Sequence, residues 1–152
     1  MSLKEKLQND LTSAMRARDE VRSSTIRMIL TSIKNEEVSG KEARELSESE
    51  IITVLSREAK KRREAAEAFE QAGAKDRAEM EKAEGGVIAE YLPKQLSEAE
   101  IKTLIAAAIQ ESGANSPAQM GLVMKSLQPK IAGKADGGTV SALVKAALSE
   151  GK

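Results

Sequence analysis

The chain has 152 residues with 24 basic and 24 acidic side chains, and neither cysteine nor histidine. That length supports one ordinary domain or two small ones, and the cancelled charge provides no global field towards nucleic acid or an acidic membrane. The missing residue types exclude a disulfide, a thiolate nucleophile, a zinc finger and an imidazole base.

Hydrophobic residues make up 40% of the chain, yet Phe69 and Tyr91 are its only aromatics. A core of Leu, Ile, Val, Ala and Met suits close-packed helices. Leu3, Leu7, Leu11 and Met15 stand four apart, the stripe of a first amphipathic helix. Asp19 is placed to cap a second, burying Ile26, Ile29, Leu30 and Ile33. Gly40 and its polar neighbours read as a loop. Ser47 and Glu50 then form a capping box ahead of Ile51, opening a helix of about 37 Å that ends at Gly73. A fourth helix is predicted from Lys75 or Asp76 through Met80, Ala83 and Val87 towards Tyr91, with a bend or break at Gly85-Gly86.

Pro93, in the run YLPKQLSEAE, ends that helix and marks a domain boundary. Ser97 and Glu100 form another capping box, followed by an apolar face of Ile101, Leu104, Ile105, Ala108 and Ile109 that Gly113 terminates. Ser116 and Pro117 predict the start of the next helix, Met120, Val123, Met124 and Leu127 its face, and Pro129 its end. Asp136 is placed to cap a last helix burying Val140, Leu143, Val144, Ala147 and Leu148. Met28, Met120 and Met124 suit core positions. The expected fold is all-α: a helical N-terminal domain with long helices over residues 1–92, then a three-helix bundle over 93–152. The first part holds 17 basic and 19 acidic residues, the second 7 and 5, and every basic residue of the second is lysine.

Chemistry-bearing motifs are scarce. Gly133-Lys134 is followed by Ala135, unlike a phosphate-binding P-loop, and Ser23-Ser24 has no activating neighbour in its helical pattern. A metal site would need oxygen ligands alone, and the acids are interleaved with Lys and Arg. No catalytic residue, cofactor or metal is expected. No apolar run approaches the ~20 residues of a membrane span, and the N-terminus alternates charge with leucine, so the cytoplasm is the simplest address. Two basic groups remain as contacts for a polyanion. Arg57, Lys60 and Lys61 share a helical stripe, although Glu58, Glu64 and Glu67 lie at ion-pairing spacings and a solvated face is the plainer reading. Lys125, Lys130 and Lys134 surround the turn GKADGG, where Asp136 competes with any anion for the helix amides.

RMILTSIKNEEV, VLSREAKKRREAAEAF, EYLPKQLSEAEI and QMGLVMKSLQPKIAGKADGGTV occur in this order along nearly the whole chain. In them the chain resembles the YqeY family, small bacterial proteins that share a C-terminal module with GatB, a subunit of glutamine-dependent aminoacyl-tRNA amidotransferase. The resemblance implies a helical N-terminal part joined to a tail that helps hold tRNA, with carbon–nitrogen ligase chemistry residing elsewhere in such a complex. Where the family tends to have acid, lysine, glycine and arginine, this chain has Gln119, Leu122, Lys125 and Lys134. The last exchange turns a fork-shaped phosphate donor into a point charge. The implied role is that of a non-catalytic accessory protein, with tRNA or an amidotransferase complex as partner. The alternative is a protein–protein interaction module without an RNA role.

Overall fold

The computed structural model describes residues 1–150, and these form seven α-helices, a single 3-10 turn and no strand. In chain order the helices are α1 (Leu3–Arg16), α2 (Glu20–Glu37), α3 (Glu48–Gln71), α4 (Lys75–Ala89), α5 (Glu98–Ser112), α6 (Met120–Ile131) and α7 (Gly137–Glu150). The protein is all-α, as its periodicity predicts. Two compact units divide it, Met1–Leu92 and the residues from Pro93 onward.

In the first unit the helix starts are set by short polar side chains. Ser2, Asp19 and Ser47 each accept the backbone N–H three residues on, and Ser2 and Ser47 complete capping boxes with Glu5 and Glu50. Leu7, Ile26, Ile29, Ile33, Ile51, Leu55 and Ile88 are buried together, and Met28 packs against them from the edge. The leucine stripe of α1 is narrower than its spacing suggests, because Met15 is half exposed. Tyr91 closes the unit: its ring is buried, its hydroxyl donates to Asp10 Oδ2 at 2.6 Å, and Lys6 Nζ stands 5.4 Å from the ring centroid. Burial, and then the bond to Asp10, push the Tyr91 phenol well above its usual range.

Two carboxylates fasten the loop between α2 and α3. Glu37 is buried and accepts from Lys4 Nζ at 2.9 Å and from the Leu46 amide at 3.3 Å; the Lys4 bond above all holds its pKa below the ordinary value. Glu50 is lowered to about 2, first by the Arg44 guanidinium and then by the Ser47 backbone amide. Both folded pKa values lie below the unfolded one near 4.3. Their stabilisation is therefore complete above about pH 5 and lost as pH falls through the folded values. We expect the melting temperature to fall between pH 5 and pH 2, and to fall less steeply in Glu50→Gln; parallel curves for the two proteins would remove Glu50 from that dependence.

The pairing of α3 with α4 departs from the sequence expectation. α4 runs unbroken through Gly85-Gly86, and Met80 and Ala83 are exposed. Its inner face carries Ala78, Glu81, Glu84, Gly85 and Ile88, with Val87 buried as well. Gly85 faces α3, where a Cβ would stand in ordinary contact with Arg62 Cβ, at 3.6 Å. Arg62 crosses this seam, with Nη1 3.4 Å from Glu81 and 3.3 Å from Glu84, and Nη2 3.5 Å from Glu58. Glu58 is buried and also accepts from Ser32 Oγ at 3.2 Å and Lys61 Nζ at 3.3 Å. Removing one member of such a network leaves buried charge uncompensated, so α3 and α4 depend on each other through it.

The second unit is a three-helix bundle. Ser97 and Glu100 form the capping box of α5, and Gly113 ends the helix at φ +71. Ile101, Ile105, Ala108, Val123, Leu127, Ile131, Val140, Val144 and Leu148 are buried together, with Leu104, Ile109, Met120, Met124, Leu143 and Ala147 partly buried around them. Two boundaries differ from expectation. Pro117 opens a 3-10 turn rather than α6, and the Ser116 side chain caps nothing. Pro129 does not end α6, which continues to Ile131. The proline lacks the amide that would bond the Lys125 carbonyl, and its ring crowds that carbonyl; the helix runs only two residues past it. The helix ends at Ile131, and Gly133, just past the C-cap Ala132, has a φ of +73.

Candidate nucleic-acid interface

The turn between α6 and α7 is built by backbone bonds. The amides of Lys134 and Ala135 both donate to the Ile131 carbonyl, at 2.8 and 3.1 Å. Asp136 then starts α7 by accepting from the Thr139 amide at 3.1 Å and the Thr139 hydroxyl at 3.0 Å. The start of α7 is thus already served by a carboxylate. Any anion near this turn must be met by side chains rather than by the helix amides.

The segment leading into the bundle is laced to the same turn. The Leu96 amide donates to the Lys134 carbonyl at 2.9 Å, and Gln95 Nε2 bridges the carbonyls of Pro93 and Gly133, each at 2.8 Å. This places Lys94, exposed, beside Gly133-Lys134. Sequence reasoning missed Lys94 because 39 positions separate it from Gly133. The available signal was the adjacent glutamine, whose amide can bond two carbonyls at once.

Lys125, Lys130 and Lys134 are all exposed. Lys130 stands 3.9 Å from Glu111, whereas Lys94, Lys125 and Lys134 have no ion-pair partner among the described residues. Between Glu111 and Asp136 the chain contains no acid, but those two carboxylates bound the edge, Glu111 beside Lys130 and Asp136 at the start of α7. The lysines do not share one helix face. Lys125 and Lys130, five residues apart on α6, are turned about 140° from each other, and Lys125 instead shares its face with the half-exposed Leu122.

The other basic group lies on α3 in the first unit, and carboxylates accompany it. Arg57 is 3.7 Å from Glu36, Lys60 4.0 Å from Glu64, and Lys61 3.3 Å from Glu58. Glu58–Arg62 and Lys60–Glu64 form as intrahelical pairs at the expected spacing. Arg62 also faces α4, so the run Lys60–Arg63 is not simply a solvated surface.

The described residues define an all-helical protein of two compact units, the second carrying a lysine-bearing edge with few acids. The family model described as Yqey-like protein matches residues 4–148, and the chain belongs to this family. It is 33% identical over 129 residues to altered inheritance of mitochondria protein 41, mitochondrial, of Clavispora lusitaniae, covering 83% of this chain and 74% of that protein. To the protein of the same name from Lachancea thermotolerans it is 32% identical over 113 residues, covering 73% of this chain and 60% of that one. Both relatives are fungal and mitochondrial by name, so the likeness extends beyond the bacterial, cytoplasmic setting expected from sequence. No helix among the described residues is long and apolar enough to cross a membrane.

Proposed function

We propose that the protein is a non-catalytic accessory factor related to tRNA-dependent amidotransferase, and that it binds tRNA through its C-terminal unit. The observation that carries this reading is that Lys94, Lys125 and Lys134 are exposed and without ion-pair partners among the described residues. Lysines without carboxylate neighbours can release counterions from a phosphate backbone at little electrostatic penalty. The basic residues of α3 are already neutralised by Glu36, Glu58 and Glu64. Few aromatics are present for base stacking, so recognition is by charge and shape. The link to amidotransferase rests on the likeness of the run from Tyr91 to Val140 to the GatB tail.

The test is a tRNA titration at several salt concentrations. Wild type is expected to lose affinity steeply with salt. Replacing Lys94, Lys125, Lys130 and Lys134 by alanine should flatten the log–log slope by about 2–3. An Arg57, Lys60 and Lys61 triple alanine variant should change it by less than about 1. A wild-type curve flat in salt, or a larger effect from the α3 variant, would overturn the assignment.

A further inference from the structure

A second surface lies wholly within residues 1–92 and owes nothing to the C-terminal lysines. It is a concavity of about 640 Å³ lined by Met15, Arg18, Val21, Arg27 and Met80, with Glu20 its one acid. We propose that this groove docks an acidic amphipathic helix of a partner protein.

The lining has two halves. Met15 and Met80 are each 50% exposed; unbranched thioethers are well suited to adaptable apolar contact. Arg18 and Arg27 supply positive charge that the molecule itself leaves unanswered. Arg22, Arg44, Arg57 and Arg62 each stand against a carboxylate. Arg27 reaches only the Met15 sulfur, at 3.4 Å, and the Arg18 side chain has no partner among the described residues.

Arg18 is also the one described residue other than glycine with a positive φ, +58. Glycine takes that conformation after α3, α5 and α6, at Gly73, Gly113 and Gly133. After α1 the position that favours glycine holds an arginine directed to the groove, at a conformational penalty. Charge complementarity therefore calls for acids on the occupant, and the methionines and Val21 call for apolar side chains beside them. A helix with apolar residues at i, i+3 or i+4 and i+7, flanked by Glu, supplies both. An RNA occupant would use the arginines alone, since thioether and aliphatic surface offers a base no aromatic platform.

The test uses the whole chain carrying 13C-methyl methionine, whose six methionines include Met15 and Met80 at the groove. It is titrated with a helical peptide of about 18 residues bearing Leu at those spacings and flanking Glu, with the same peptide carrying Lys for Glu, and with an RNA duplex. The acidic peptide should shift the Met15 and Met80 methyls while leaving Met120 and Met124 in place. Charge reversal of the peptide should weaken binding at least about tenfold, as should Arg27→Ala and Arg18→Gly. Arg18→Gly should leave the melting temperature unchanged or raise it by up to about 4 °C, which separates lost binding from lost folding. Three results would each overturn the proposal: no methyl shift at about 1 mM peptide, equal response to both peptides, or a response at Met15 and Met80 to RNA alone.

Discussion

Arg62→Ala is expected to destabilise the N-terminal unit by about 3 kcal/mol, far more than removal of any exposed cation. The guanidinium stands 3.3–3.5 Å from carboxylate oxygens of Glu58, Glu81 and Glu84, and its side chain is only 20% exposed. Without it three acids meet across the α3–α4 seam, with Lys61 and Ser32 still on Glu58. Breaking a buried ion pair by removing one member typically costs about 3–5 kcal/mol, and the residual exposure argues for the lower end. Urea unfolding should show a reduced midpoint at an unchanged slope. Lys102→Ala, which removes an exposed pair with Glu98 on α5, should cost at most about 0.5 kcal/mol. A loss below about 1 kcal/mol for Arg62→Ala would mean that apolar packing alone holds the hairpin.

Leu127→Ala should have a comparable effect on the C-terminal unit. Leu127 is fully buried among Ile101, Ile105, Val123, Val140 and Val144, a core without a single aromatic. Removing a leucine side chain from such a site costs about 3 kcal/mol, because the cavity closes only in part. At roughly 0.05–0.15 kcal/mol per residue, a unit of this size has only a few kcal/mol in hand. Hydrogen exchange should show protection in α5, α6 and α7 falling on the order of 100-fold, and Leu127→Met should retain most of it. A change below about tenfold would show that the site relaxes and that the core is loosely packed.

The local grammar of this fold is readily legible in its sequence. Ser47 with Glu50, Ser97 with Glu100, Asp19 and Asp136 identify helix starts, and all four accept the expected backbone amides. Where the reading failed, tertiary contact had outweighed local preference. Gly85-Gly86 signals a break because propensity knows nothing of Arg62, which comes from another helix. Nor does spacing signal that Glu81 and Glu84 lie on the inner face of α4, where Arg62 of α3 meets them. Pro129 signals a stop, and α6 passes it by only two residues. At the candidate interface, Lys125, Lys130 and Lys134 were legible from the scarcity of acids around them. Lys94 was not, because Gln95 and Leu96 bring it to the turn by hydrogen bonds that leave no periodic trace.

The placing of Tyr91 has a practical bearing on how the molecule can be watched. It is the only tyrosine, tryptophan is absent, and Phe69 also precedes Pro93. All near-ultraviolet absorption and emission from side chains therefore arises in the first 92 residues, and the C-terminal bundle is optically silent at those wavelengths. A melt followed by tyrosine emission reports on one unit, whereas the far-ultraviolet helix band reports on both.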